Sequence, residues 1–167
     1  MTTPTCNLDD FYFTELSVKW VEPESTATVD GLSSGFDYDV FRAREDDKRY
    51  MLRMRCSFQE KADNGRSVGF DVKVGLDGLL SFSDDVSEED REKIVRYNGV
   101  ALLYGVLRGQ IASMTGSFPN GKLNLPTIMP QDIVNMVEGK KSEQAKAKKK
   151  PARKAAKKKA AKKFGAK

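Results

Sequence analysis

Apolar and polar residues alternate with a period of two through the first half of the chain, and the period lengthens in the second half. Tyr50, Leu52, Met54, Cys56 and Phe58 point one way while Arg53, Arg55 and Ser57 point the other. That pattern predicts a strand with one buried and one wet face. After an Asn64-Gly65 turn the alternation resumes at Val68, Phe70, Val72 and Val74, so the two segments form an antiparallel hairpin. Leu79, Leu80 and Phe82 extend the second strand or end against it. Upstream, Phe11 to Val21 reads as a strand with Tyr12, Leu16, Val18 and Trp20 on one face. Glu22 to Gly35 is rich in Pro, Ser, Thr, Gly and acids and reads as a long connection. Phe36 to Arg44 follows as a strand that alternates around Tyr38 and Val40.

The period changes at Ser87. Ser87-Glu88-Glu89-Asp90 resembles a capping box, with acids facing the positive end of the helix dipole. Apolar residues then recur at Ile94, Val95, Leu102, Leu103, Val106, Leu107, Ile111 and Met114, which predicts about 28 residues of helix ending at Gly116. Ala101, Gly105, Gly109, Ala112 and Gly116 fall at spacings of 4, 4, 3 and 4 and make one stripe of small residues. Such a stripe permits close backbone approach, either to the helix's own sheet or to a second subunit. The next stretch, SFPNGKLNLPTIMP, holds three prolines beside Phe118, Leu123, Leu125, Ile128 and Met129. An ordinary solvated loop carries fewer large apolar groups, so something must cover these. A short helix is predicted over Gln131 to Glu138, with Pro130 at its start and Gly139 at its end. Strands followed by helices argue for α+β, with the helices on one face of an antiparallel sheet.

Charge divides the 167-residue chain into an expected body, residues 1–139, and a tail, residues 140–167. The tail has 14 Lys+Arg against one acid, a net of +13, and the body has 15 Lys+Arg against 23 acids, a net of −8. Two cysteines, Cys6 and Cys56, make no disulfide framework and no metal-ligand spacing. The chain has no histidine, which removes the usual general base and every Ser-His or Cys-His nucleophile pair. The acid clusters Asp84-Asp85 and Glu88-Glu89-Asp90 read as a loop and a helix start rather than a catalytic pair. No enzyme activity, cofactor or metal is expected. The stretch MTTPTCNLDDF lacks the features of a signal peptide, and no run of about 18 apolar residues could span a bilayer. A cytoplasmic protein without membrane insertion is expected.

With these elements in place the sequence resembles the SecB family of cytosolic export chaperones. The segment LLYGVLRGQIASMTGSFPNGKLNLPTIMP is similar to the family's helix that carries a tyrosine, ends in Gly and runs through Phe-Pro into Leu-Asn-Leu-Pro. Gly116, Phe118, Pro119, Leu123, Asn124, Leu125 and Pro126 match that pattern, with Leu102 and Tyr104 at matching places in the helix. The strand GFDVKVGLDGLLSFSD sits at the family's distance upstream, and the resemblance covers about residues 11–138. Two departures stand out. Asn120-Gly121-Lys122 is longer than the family's single residue, and a Lys/Ala tail replaces the C-terminal segment that helps hold the translocase motor.

The resemblance implies a four-stranded antiparallel sheet, one long and one short C-terminal helix, and a homotetramer built as a dimer of dimers. It implies a holdase that binds unfolded or preprotein segments in apolar grooves, for which Trp20, Phe36, Tyr38, Phe41, Leu125, Ile128 and Met129 are the candidate client-binding residues. Ala101, Gly105, Gly109 and Ala112 are the candidate subunit contact. Glu15 matches an acid used for motor docking, whereas Lys19 stands where another acid is expected. Some members of the family guard an antitoxin instead. The rival reading comes from the tail, which has the composition of a linker-histone tail and too little apolar surface to order itself. Lys148, Lys149, Lys150, Arg153, Lys154, Lys157, Lys158 and Lys159 would bind polyanions, as in a nucleic-acid- or ribosome-associated protein.

Overall fold

The computed structural model describes residues 5–22, 29–118 and 121–142, and the chain divides into two compact units, Met1–Val134 and Asn135–Lys167. In the first unit β1 (Cys6–Val21), β2 (Val29–Arg42), β3 (Arg49–Ala62) and β4 (Ser67–Phe82) form one antiparallel sheet in the order β1-β4-β3-β2. The alternation in β3 and β4 is realised as a hairpin. Gly65 turns the chain at φ 77°, a conformation that suits a residue without Cβ, and Asn64 Oδ1 accepts from the Arg66 amide at 2.9 Å. The even-numbered residues of β3 and β4 face inward, and Leu52, Met54, Phe58, Val72, Leu76 and Leu80 are almost fully buried.

Two strands depart from the sequence expectation. In β1 the register slips between Leu8 and Asp10 and again between Phe13 and Glu15. Each bulge inserts one residue and so reverses the in-out phase beyond it. Tyr12, expected beside Leu16, Val18 and Trp20, therefore lies opposite Asp77 on the outward face. Phe11 and Phe13 take its place inward, opposite Gly78 and Leu76. In β2 the strand begins at Val29, well before Phe36, so 29–35 are not part of a long connection. Ser33, Ser34 and Gly35 pair with Gln59, Phe58 and Ser57 on a sheet edge, where ladder hydrogen bonds hold small polar residues in a strand. Residues 23–28 of the expected connection lie outside the described residues.

The long helix is present, and it is composite. α1 (Glu88–Ile94), a π-helical turn (Val95–Gly99) and α2 (Val100–Thr115) follow without a break, 28 residues in all. Ser87 caps it as expected, its Oγ accepting from the Asp90 amide at 3.2 Å. Glycines let this helix lie close on the sheet. A Cβ on Gly78 would sit 2.6 Å from Leu103 Cδ2, and one on Gly99 would sit 3.0 Å from Leu52 Cδ2. Leu103, Leu107 and Ile111 are completely buried along this contact. Each such side chain contributes roughly 1.5–3 kcal/mol through apolar burial.

The last helix, α3, covers 130–142 and runs through Gly139 instead of stopping there. An interior glycine costs only about 1 kcal/mol and need not end a helix. In the second unit Ser142 Oγ donates back to the Gly139 carbonyl at 2.8 Å. The expected polyanion-binding residues, Lys148 to Lys159, lie outside the described residues, as does the proposed disorder of the tail beyond 142.

Candidate functional site

The proline-rich stretch after α2 is held by polar side chains on one flank of that helix. Thr115 Oγ1 donates to the Ile111 carbonyl at 2.7 Å and accepts from the Leu123 amide at 2.9 Å. Arg108 Nε donates to the Leu125 carbonyl at 3.2 Å, and the Tyr104 hydroxyl donates to the Pro126 carbonyl at 2.7 Å. Burial raises the Tyr104 pKa, so the hydroxyl keeps its proton and remains a donor at neutral pH. These bonds seat Leu123 and Leu125 in the core. Phe118 meets Phe70 edge-on at 5.4 Å, and Phe70 meets Trp20 at 4.9 Å. The protein's own core thus covers the first part of the stretch.

The second part is left open. Ile128 is half-buried and Met129 is 65% exposed. Between residues 127–130 and α2 runs a groove of about 240 Å³, walled by Ala101, Tyr104, Gly105, Arg108 and Ile133. Its floor is partly glycine because Ala101 and Gly105, two members of the stripe of small residues, line it. A Cβ on Gly105 or Gly109 would meet nothing within 4 Å, and Ala101 is exposed as well. The stripe points away from the sheet, opposite the buried Leu103, Leu107 and Ile111. Packing on the chain's own sheet therefore does not explain it.

The expected client-binding residues do not form one surface. Ile128 and Met129 lie together at the groove, and Leu125 anchors the segment from beneath, only 3% exposed. Phe36 and Tyr38 are each 5% exposed in the strand β2, so neither lines an open groove of the single chain. Phe36 lies between Phe58 at 5.6 Å and Tyr104 at 6.0 Å, both edge-on. Their expected exposure rested on placing them beside a long connection, and the early start of β2 puts them in the middle of a strand. Trp20 is half-buried at the inward edge of β1. Phe41 is exposed on the outward face of the sheet, opposite Met51 and away from the groove.

No family model matches the chain, and no curated protein does so significantly. Among solved structures, the chain superposes on a SecB-like chaperone of Mycobacterium tuberculosis, solved with a ChAD peptide from the HigA1 antitoxin, with a TM-score of 0.58. The match covers 74% of this chain and 91% of that one at 16% identity. The fold is SecB-like. A protein of unknown function from Streptococcus agalactiae matches at a TM-score of 0.40 and 10% identity, over 73% of this chain and 97% of that one.

On this SecB-like fold, the outward face of the sheet carries a surface of which sequence reasoning named only Phe41. Tyr12, Phe41, Met51 and Leu79 surround the ion pair of Arg53 with the fully buried Asp77. Two hydrogen bonds from Arg53 Nε and one from its Nη2 hold that carboxylate, at 2.7–3.1 Å. The guanidinium also lies 5.6 Å over the Phe41 ring. A pocket of about 740 Å³ opens beside this patch, its walls including Phe41, Met51, Leu79 and Asp9. Met51 and Leu79 carried a signal, because each breaks the polar phase of its strand. Tyr12 carried none, since a bulge put it there.

Glu15 sits at the second bulge of the SecB-like sheet, exposed, opposite Gly75; Lys19 lies opposite Asp71. Among the described residues no cluster of acids and cysteines could hold a metal, and no helix is long and apolar enough to cross a membrane. Burial pushes the Cys56 thiol up to about 12, and burial with the nearby Asp9 pushes Cys6 up to about 11. Both thiols are protonated and poorly nucleophilic at neutral pH.

Proposed function

We propose that this protein is a cytoplasmic holdase chaperone that binds unfolded polypeptide segments and works as a homo-oligomer. The observation that carries this reading is the apolar surface left over once the core is filled, above all the groove where Ile128 and Met129 face Gly105. An unfolded segment offers apolar side chains in no fixed order, which suits non-directional burial and the adaptable side chain of methionine. The net charge of −8 over residues 1–139 favours clients with basic segments. Similarity in fold to a chaperone solved with an antitoxin peptide supports the class and favours, as a second reading, an antitoxin as client. Export hand-off through Glu15 is a further proposal, supported by its exposure on the outward-facing sheet.

Assembly follows from the same surplus. Ala101, Gly105, Gly109 and Ala112 offer a helix face that a second helix can approach closely, and Leu102 beside them is 42% exposed. The inward edge of β1 also leaves Phe11 43% exposed. A tetramer would cover such surfaces.

The test pairs two variants. Changing Ile128 and Met129 together to Ser should weaken binding of a permanently unfolded client about tenfold, or roughly 1.4 kcal/mol, with little change in stability. Unaltered affinity would remove the groove from the mechanism. Gly105→Leu should lower the native mass while circular dichroism is retained; a native mass equal to that of the parent would rule the stripe out as a subunit contact.

A further inference from the structure

Among the described residues that wall the groove beside α2, Arg108 alone carries charge. It is half-buried, and its Nε donates to the Leu125 carbonyl at 3.2 Å. That bond fixes the planar group and uses one edge of it. The terminal nitrogens, Nη1 and Nη2, donate to nothing among the described residues, and no carboxylate there lies within ion-pair distance of them. Arg53 and Arg55 on the sheet differ, since the first holds Asp77 and the second holds Asp37 and Asp39. Asp132, beside Ile133 in α3, is exposed and is not one of the groove's walls. A guanidinium drawn partly out of water with no counter-charge has lost hydration that the chain does not replace. The groove's volume of about 240 Å³ is below the roughly 300–1,000 Å³ of pockets that enclose a small molecule, so it suits side chains of a longer polypeptide.

We propose that this groove selects client segments in which a carboxylate adjoins large apolar side chains. The carboxylate pairs with the terminal nitrogens of Arg108, and the apolar groups lie over Ile128 and Met129. The proposal rests on the chaperone reading of the groove and adds a specificity to it. Charge complementarity selects the occupant: a carboxylate meets the guanidinium fork with two parallel hydrogen bonds, whereas a client lysine or arginine at the same place is repelled. Because Nε is already held by Leu125, little further side-chain freedom is lost when the second partner arrives. The net charge of −8 over residues 1–139 acts at longer range, out to a Debye length of about 10 Å at 0.1 M salt, and draws in basic flanks. Arg108 acts at contact. The preferred segment therefore has an acid among its apolar residues and its basic residues outside them.

The experiment uses the full chain and two short fluorescent Gly/Ser peptides that differ in one residue, with Leu-Phe-Glu-Leu or Leu-Phe-Gln-Leu at the centre. Anisotropy at low salt gives the two affinities, and their ratio within each protein is the readout. The parent should bind the Glu peptide about tenfold more tightly, within the range for hydrogen bonds to a charged group. Arg108→Gln should bring the ratio to about one, since no charge is left to read the acid. Arg108→Lys keeps the charge without the fork and should retain about a threefold preference, the scale of an exposed ion pair. If Arg108 only held the Leu125 carbonyl, its loss would lower both affinities and leave the ratio as it was. Equal affinities of the parent for the two peptides would overturn the proposal, and so would an unreduced ratio in either variant. A parent that binds a permanently unfolded client but shows no preference for Glu sinks this proposal alone. A parent that binds neither the client nor either peptide sinks the chaperone reading with it.

Discussion

Phe36 offers a decisive perturbation, because a groove residue and a core residue respond to truncation in opposite ways. Its ring is 5% exposed and makes edge-on contacts with Phe58 at 5.6 Å and Tyr104 at 6.0 Å. Phe36→Ala removes the transfer free energy of the ring and leaves a cavity, which together cost about 3–5 kcal/mol. The two aromatic contacts contribute about 0.5–1.5 kcal/mol each beyond burial, so a loss above the lower end, about 4 kcal/mol, is expected. Urea unfolding followed by the fluorescence of Trp20 measures it, at fixed protein concentration because any subunit association would couple to stability. With a slope of about 2 kcal/mol/M the midpoint should fall by about 2 M and the slope should hold. Client affinity per folded molecule should change much less. A stability loss under about 1 kcal/mol together with a tenfold fall in client affinity would refute the reasoning and place Phe36 on a binding surface.

Tyr104→Phe deletes the hydrogen bond to the Pro126 carbonyl and should cost about 1 kcal/mol by the same urea assay, with hydrogen exchange rising in the stretch it holds; unchanged protection there would show that the bond does not seat the segment. Gly78→Ala places a methyl against Leu103 at the helix–sheet contact and should destabilise by about 1–3 kcal/mol, whereas Gly31→Ala, with open space around it, should not. Stability should also fall in alkali. The folded pKa of Cys56, about 12, lies above its ordinary 9.0, so its contribution is intact below pH 9.0 and is lost as pH rises toward 12. At pH 10.5 the loss is roughly 2 kcal/mol, and Cys56→Ala should flatten that part of the profile; identical profiles for the two proteins would exclude the thiol as the cause.

Local rules decided most of the element list. The β3–β4 hairpin was legible because alternation, an Asn-Gly turn and a buried face are properties of neighbouring residues. The start of the long helix was legible for the same reason, since Ser87 and the acids after it act within one turn. The fate of Phe36 was not. Its burial depends on β2 starting at Val29, and Ser33, Ser34 and Gly35 are strand residues only because β3 supplies hydrogen-bond partners to them.

The bulges in β1 are also tertiary decisions, because a one-residue slip costs little locally and is chosen by what lies across the ladder. Such a slip moved Tyr12 to the outward face and left the patch around Arg53 and Asp77 unforeseen. The small-residue stripe shows the division most plainly. Its spacing was fixed by composition, but whether it met a sheet or open space depended on how α2 is rotated about its axis. That rotation is set by Leu103, Leu107 and Ile111, whose burial outweighs anything the glycines contribute. The charge of residues 140–167 needed no fold at all, because it is counted residue by residue along the chain.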